Sequence, residues 1–189
     1  MAEIDKFIVE ASASAVVGIE KTLRKRGDKS FLAKKPVFDK NQKPTEKQED
    51  LRENFSAATN YAQAALANPE SKKLYELRAN ANRTAFNVAL RDYMKPPKVK
   101  KIETAKYTGN PGSTIKVRAT DDFRVKAVSV TIYNAAGDLV EEGQATLDPV
   151  NRVKWNYAAT QLIAILPGCK IKAVAEDIPG NTGQLEITL

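Results

Sequence analysis

The stretch VSVTIYNAAGDLVEEG, residues 128–143, decides the class of the second half of the chain. In residues 128–133 apolar and polar side chains alternate, which is the period of a β-strand with one buried face. Residues 134–138 are rich in turn formers, and residues 139–143 continue as a second strand. The stretch therefore predicts a β-hairpin.

The same alternation recurs on both sides of this hairpin, at residues 114–120, 152–157, 169–175 and 184–189. About seven short strands, separated by turns every 8–12 residues or so, are typical of a β-sandwich. We expect the aromatic rings on the strand at 152–157 to pack in its core, and the lone cysteine to be a small buried apolar residue. These residues are Trp155, Tyr157 and Cys169.

Two consecutive prolines, Pro96 and Pro97, separate this half from a different kind of sequence. Proline stops a helix and disfavours helical geometry in the residue before it. Ala, Leu, Glu, Lys and Arg dominate before the prolines, and Val, Ile, Thr and Gly-containing turns dominate after them. We predict an α+β protein of two domains, residues 1–95 and 98–189.

The first domain is predicted to contain a hairpin, centred on Gly27, and two helices. Thr45 and Gln48 fit a capping box that starts the first helix, and Asn68 with Pro69 ends it and caps a second helix that runs to about Tyr93. The spacing predicts one buried face on each helix, giving an antiparallel pair or one bent helix. The predicted faces are Leu51, Phe55, Ala58, Ala62, Ala65 and Leu66, and then Leu74, Leu77, Ala81, Ala85, Val88 and Ala89.

Two segments of the second half resemble bacterial immunoglobulin-like domains. One is ATDDF, residues 119–123, with the VSV strand at 128–130, and the other is AVAEDIPGNT, residues 173–182. The resemblance covers roughly residues 99–189. It implies an immunoglobulin-like antiparallel sandwich and an adhesive or spacer use, and it implies no reaction.

The first half resembles uncharacterised short bacterial or phage-like open reading frames. The similarity lies in the hairpin at residues 24–36, the helix start TEKQ at 45–48, and FSAATNYA at 55–62. This resemblance carries no activity.

The composition excludes several catalytic classes. The 189 residues contain no histidine and one cysteine, so a Ser-His-Asp triad, an imidazole base, a histidine-ligated zinc and an intrachain disulfide are impossible. The sequence has no GxGxxG motif and no P-loop. Glu141 and Glu142 are neighbours on a strand and point to opposite faces, so they cannot act as a pair. We expect no enzyme activity, no cofactor and no small-molecule substrate.

A weak calcium site is one interpretation of the acidic loops of the sandwich. Asp121 and Asp122 precede one predicted strand, and Asp177 and Asn181 flank another loop; oxygen ligands on loops suit Ca²⁺. The alternative is that Asp121 and Asp177 cap turns while Gly180 adopts a positive φ. No EF-hand spacing is present, so turn capping without a metal is the primary expectation.

The basic charge is concentrated in one segment. The chain carries 30 Lys and Arg against 23 Asp and Glu, a net charge of +7. Between residues 20 and 43, nine basic residues face three acidic ones. Such a segment either contacts another copy of the chain or binds nucleic-acid phosphates. The candidate residues are Lys21, Arg24, Lys25, Arg26, Lys29, Lys34 and Lys35, with Lys40 and Lys43 beyond them.

These observations favour a non-enzymatic structural protein that forms a homo-oligomer or a larger assembly through its N-terminal arm and helices. A virion component, a filament subunit or a scaffold fits, and segments 1–14 and 36–45 are candidate arms. A nucleic-acid-binding accessory protein is the alternative. The N-terminus lacks a signal peptide and no stretch reaches the length of a membrane span, so we expect no membrane insertion and synthesis in the cytoplasm.

Overall fold

The computed structural model describes residues 15–17, 21–26, 29–34 and 43–189. Within them the chain is α+β, with three helices and three antiparallel sheets. The predicted arm 1–14, residues 36–42 of the predicted arm 36–45, Lys35, Lys40 and the loop of the first hairpin lie outside the described residues.

The largest part is a pair of four-stranded antiparallel sheets formed after the two prolines. The first sheet has the order β4-β5-β9-β8 and the second β11-β10-β6-β7. The strands are β4 (Lys98–Lys106), β5 (Thr114–Thr120), β6 (Val125–Tyr133), β7 (Leu139–Gln144), β8 (Thr146–Leu147), β9 (Lys154–Ala158), β10 (Lys170–Asp177) and β11 (Thr182–Thr188).

The facing sides of the two sheets enclose one apolar core. Alternate residues of β5, β6 and β10 are fully buried in it, including Ile115, Ile132 and Ile171. Trp155, Tyr157 and Cys169 also belong to the core, as predicted. Because each strand is buried on one face, the alternating pattern in the sequence locates the strands correctly to within a few residues. The predictions missed β4 and β8 as strands.

A smaller sheet precedes the helices, with the order β1-β2-β3. Its strands are β1 (Ala15–Val17), β2 (Lys21–Arg26) and β3 (Lys29–Lys34). Strands β2 and β3 form the predicted hairpin, in which Lys21 lies opposite Lys34 and Arg26 lies opposite Lys29.

The three helices are α1 (Glu46–Ala67), α2 (Pro69–Glu76) and α3 (Ala85–Met94). The predicted starts are confirmed: the Thr45 amide donates to Gln48 Oε1 at 3.0 Å, and Asn68 Oδ1 accepts from the amides of Glu70 and Ser71. The prediction of a single second helix to Tyr93 is wrong.

A local turn divides that second helix. Asn80 and Arg83 pair through their backbones, Asn80 Oδ1 accepts from the Asn82 amide, and Thr84 caps α3 through the Asn87 amide. Asparagine side chains compete with helical hydrogen bonds in this way. Part of the buried face predicted for this second helix is wrong as well: Leu77 and Ala81 are exposed, whereas Val88 and Ala89 are buried.

Helix α1 is buried only along its second half. Ala62 and Ala65 pack with Tyr75, Val88 and Ala89, but Leu51 is 58% exposed and Phe55 51%. The sequence predicts both residues on the buried face, and that prediction is wrong. None of the described helices has a stretch that is both long and apolar enough to cross a membrane.

The helices contact one end of the paired sheets. The Tyr75 ring lies 4.7 Å from the Phe123 ring, centroid to centroid, and the Arg78 guanidinium lies 5.9 Å from the same ring. The proline segment passes close to β11, where a Cβ at Gly183 would collide with the Pro97 carbonyl. A side chain at position 183 is therefore excluded by a neighbouring backbone and not by its own dihedral angles.

Candidate functional site: a buried carboxylate cluster

Three aspartates from distant parts of the chain meet where the helices contact the sheets. Asp92 lies in α3, Asp121 directly follows β5, and Asp177 is the last residue of β10. One carboxylate oxygen of each lies within 4.8 Å of the others. Asp92 is 1% exposed and Asp177 is fully buried, while Asp121 is half-buried. We call these three residues the carboxylate cluster.

Two members of the carboxylate cluster hold turns, as the sequence predicts. Asp121 Oδ2 accepts from the amides of Phe123 and Arg124, both at 2.8 Å. Asp177 accepts from the amide of Asn181 at 2.6 Å and from its side chain at 2.8 Å. Gly180 between them has a φ of 94°, a left-handed value that favours glycine.

The third member, Asp92, connects the cluster to the core of the helices. The Tyr75 hydroxyl donates to Asp92 Oδ2 at 2.7 Å, and the hydroxyls of Tyr61 and Tyr75 are 2.7 Å apart. The Asn181 side chain donates to the Tyr93 carbonyl at 3.0 Å. A polar chain therefore runs from α1 through α2 and α3 to the loop after β10.

Burial dominates the electrostatics of these groups. It raises the pKa of Asp92 to about 7, against the opposing hydrogen bond from Tyr75, and the charges of Asp121 and Asp177 raise it further. Burial likewise raises the pKa of Asp177 and that of the Tyr75 hydroxyl. Each shift has the sign expected when a charge is removed from water.

Two carboxylate oxygens of the cluster have no hydrogen-bond partner. Both Asp92 Oδ1 and Asp121 Oδ1 are buried and receive no hydrogen bond from any described residue. A buried acceptor without a partner costs about 1–3 kcal/mol, and more when it is charged. The arrangement therefore either shares a proton between carboxyl groups or holds a cation.

Asp122 is not part of the cluster, although the sequence groups it with Asp121 in the predicted calcium site. It is exposed and forms an ion pair with Arg91, whose Nη2 donates to Oδ1 at 2.9 Å, and a looser pair with Lys95 at 3.8 Å. Surface pairs of this kind contribute about 0–1 kcal/mol. The structure thus brings Asp121, Asp177 and Asn181 together and places Asp122 apart from them.

Asp92 is the site residue that the sequence predictions missed. The sequence does contain a signal for Asp92. Ala85, Val88 and Ala89 form the apolar face of α3, and Asp92 lies on the same face because it follows Val88 and Ala89 at i+4 and i+3. An acidic residue on the buried face of a helix is unusual and calls for a partner. Its hydrogen-bond donor Tyr75 is 17 residues away along the chain and the other two aspartates are farther still, so the sequence gives no hint of which groups they are.

A cavity of about 600 Å³ opens beside the cluster, between α2 and the end of the sheets. Its lining combines apolar and basic side chains, among them Leu74, Leu77, Phe123, Arg78, Arg124 and Arg152. Its acidic residues, Asp121 and Asp148, both accept hydrogen bonds from backbone amides of their own turns. The pKa of Asp148 is lowered by the amides of Asn151 and Val150.

A further buried carboxylate, outside the cluster, lies in the sandwich. Glu141 Oε2 accepts from the amide and hydroxyl of Thr160 at 2.8 and 2.7 Å. Its charge contributes, after burial, to raising the pKa values of Tyr107 and Tyr157 to about 12. Glu142 on the same strand is exposed, as the strand period predicts.

The basic candidates lie on the small sheet. Lys21, Lys29 and Lys34 are exposed. Arg24, Lys25 and Arg26 are in β2. Lys43 precedes α1 and is exposed.

No protein-family model matches this chain, and no curated protein matches it either. Among solved structures, the chain is similar to CopC from Methylosinus trichosporium OB3b, with 16% identity and a TM-score of 0.37 over 48% of this chain and 87% of that one. It is also similar to a tetra-tandem repeat in the extending region of a large adhesion protein, with 18% identity and a TM-score of 0.31 over 50% of this chain and 24% of that one. Both scores are below 0.5, so neither neighbour assigns a function to this chain.

Proposed function

We propose that this protein is a non-enzymatic structural protein with an immunoglobulin-like second half, and that it self-associates through its first half. In the finer form of the proposal it is a subunit of a virion, a filament or a scaffold. The partner is a second copy of the same chain.

The order of the strands supports an immunoglobulin-like assignment. Immunoglobulin sandwiches pair strands A, B, E and D in one sheet and C, F and G in the other, and a C′ strand can join the second sheet next to C. Lettered along the chain from β4, the two sheets here read A-B-E-D and G-F-C-C′. This agreement in strand order rests on the hydrogen bonding between strands, and it is independent of the short sequence segments that resemble immunoglobulin-like domains.

One observation carries the self-association proposal: helix α1 extends well beyond the helix that covers it. At 1.5 Å per residue, α1 is about 33 Å long and α3 about 15 Å. Every residue from 46 to 56 is exposed. In that region Leu51 and Phe55 are one turn apart, in line with the buried Ala58 and Ala62. The apolar stripe therefore continues onto a surface where a second helix can pack.

The hydrogen bonding of the acidic groups supports a non-enzymatic role. In the part of the chain that the structure describes, the carboxylates with raised pKa values are buried between secondary-structure elements. Asp177 is engaged by backbone and side-chain donors of its own turn, and Asp92 by Tyr75. These contacts hold helices and loops in position, which is a structural role for the two carboxylates.

The self-association test is the molar mass in solution. We expect light scattering of the wild-type protein to give a multiple of 20.8 kDa, and the double variant L51E/F55E to give the single-chain mass. Leu139→Glu is the matched control, since Leu139 is equally exposed but lies on β7. A wild-type monomer at high concentration, or an assembly that the double variant leaves intact, contradicts the proposal.

Nucleic-acid binding is the second candidate, and the register of the first hairpin favours it. Lys21 lies opposite Lys34, and Arg26 opposite Lys29. Like charges directly opposite each other destabilise a strand pair, and an anionic partner would relieve that repulsion. Phosphate contacts need only charge and reach, so a hairpin of this kind suits a polyanion.

Salt-dependent retention of DNA tests this second candidate. Neutralising Lys21, Lys29 and Lys34 to glutamine is expected to weaken binding. The slope of log K against log salt should become shallower by about 0.9 for each DNA phosphate that the variant no longer neutralises. The control neutralises three exposed lysines of β4, Lys98, Lys100 and Lys106. Equal effects in both triple variants would indicate that binding follows net charge and not the hairpin.

A further inference from the structure

The carboxylate cluster combines three acidic side chains with two oxygens that lack donors. Asp92 is 1% exposed, and its Oδ1 accepts no hydrogen bond from the residues that the structure describes. Asp121 Oδ1 is also buried and without a donor. The remaining oxygens of the cluster accept from Tyr75, from the amides of Phe123 and Arg124, and from Asn181. Two buried acceptors of the cluster therefore have no donor among the described residues.

The cluster also has no cationic side chain to balance its charge. Among the described residues, no lysine or arginine nitrogen lies within 4.0 Å of a carboxylate oxygen of Asp92, Asp121 or Asp177. The nearby Arg91 and Lys95 pair with the exposed Asp122 instead. Buried charges in proteins are normally paired or coordinate a metal. Three carboxylates without a cationic side chain among the described residues therefore favour the coordination of a metal ion.

The geometry points to a divalent cation site: we infer that Ca²⁺ binds between Asp92, Asp121 and Asp177. Calcium takes only oxygen ligands at about 2.3–2.6 Å, so two oxygens on one ion are up to about 5 Å apart. The three ligand oxygens lie within 4.8 Å of one another, which fits this span. Mg²⁺ fits less well, because it requires a smaller octahedron and tends to keep several waters, and two of these side chains are fully buried.

The bound ion joins two parts of the fold. Asp92 comes from α3, whereas Asp121 and Asp177 come from the ends of β5 and β10. Among the described residues, the direct polar links across this junction are the contact of Asn181 with the Tyr93 carbonyl and the exposed pairs of Asp122 with Arg91 and Lys95. Calcium therefore fixes the helices against the sandwich, and its loss loosens that junction while leaving the core of each part in place.

Calorimetric titration of the full chain tests the site. After treatment with EDTA and dialysis, CaCl₂ is expected to bind with one ion per chain and a Kd below about 1 mM, the weak end of protein calcium sites. Asp92→Asn and Asp121→Asn each remove one charged ligand and are expected to weaken binding at least ~10-fold. The control is Asp122→Asn, which neutralises an exposed neighbour outside the cluster and should leave the affinity unchanged.

Terbium emission locates the ion. Tb³⁺ takes calcium sites and is excited by a nearby tyrosine, and Tyr75 donates directly to Asp92. We expect TbCl₃ to give sensitised emission that Ca²⁺ displaces and that Tyr75→Phe strongly reduces.

Three outcomes would overturn the inference. The first is no heat and no rise in the wild-type melting temperature at millimolar CaCl₂, which would show that a shared proton alone neutralises the cluster. The second is equal loss of affinity in Asp122→Asn, which would move the site to the surface. The third is Mg²⁺ binding as tightly as Ca²⁺. The wild-type titration decides the question even if a variant does not fold.

Discussion

Ile132 in the sandwich and Leu51 in helix α1 both belong to apolar patterns of the correct period, yet the first is fully buried and the second is 58% exposed. A strand in a sandwich has its apolar face covered by the opposite sheet along its whole length. A helix is covered only as far as its partner extends, and α3 is less than half as long as α1. The comparison shows that periodicity identifies the face of an element that can be buried. The length of the element packed against that face determines how much of it is buried.

The largest effect expected from this comparison is on the stability of the core. Ile171→Ala is expected to lower the free energy of unfolding by about 2–5 kcal/mol, because it removes a fully buried side chain and leaves a cavity. Leu51→Ala is expected to change it by less than about 0.5 kcal/mol in the monomer. Urea unfolding measures both. A cost of several kcal/mol for Leu51→Ala under monomeric conditions would show that its face is covered in the single chain.

An intermediate effect is expected at the junction of the two regions. Tyr75→Phe removes the hydroxyl that donates to Asp92 and should destabilise the protein by about 1–3 kcal/mol, since Asp92 Oδ2 then loses its donor. Tyr133→Phe is the control, on β6 and away from the helices. Thermal unfolding without calcium measures both changes. A loss confined to the helical signal in circular dichroism would show that the helices unfold separately from the sandwich.

A third predicted effect is a dependence on pH in the calcium-free protein. Burial, together with the facing Asp121 and Asp177, raises the pKa of Asp92 to about 7, from an unfolded value of 3.8. The folded state therefore binds more protons between these values, and the free energy of unfolding falls as the pH rises from about 4 to about 7. Tyr75, whose pKa is raised, stays protonated across this range.

Asp92→Asn checks the sign of this dependence. Its amide can accept from Tyr75 and donate to Asp121, so we expect the variant to be more stable than the wild type by roughly 1–2 kcal/mol at pH 8 in EDTA, and nearly equal at pH 5. Melting temperatures of the wild type and the variant at pH 5 and pH 8 measure this difference in stability, with Asp122→Asn as the control. A variant less stable than the wild type at pH 8 would contradict the raised pKa of Asp92.

The carboxylate cluster could be predicted only in part. Asp121 and Asp177 precede turn residues, and the sequence predicts their capping roles because those hydrogen bonds are local. Asp122 has the same chemistry and an adjacent position, but a strand end directs neighbouring side chains differently, and it pairs with Arg91. Asp92 stands out in the sequence as an acid on the apolar face of α3, but only the packing of α3 on the sandwich shows that it meets Asp121 and Asp177.

By itself, the sequence determined the elements whose signals are local: the strands after Pro97 other than β4 and β8, the caps at Thr45 and Asn68, and the hairpin around Gly27. These elements depend on the periodicity of apolar side chains and on hydrogen bonds between residues a few positions apart. Both are contained in the segment itself. Only the tertiary structure decided the break between α2 and α3, the exposed end of α1 and the meeting of Asp92 with Asp121 and Asp177. Each of those depends on the length and placement of a partner element, and neither quantity is encoded within the segment itself.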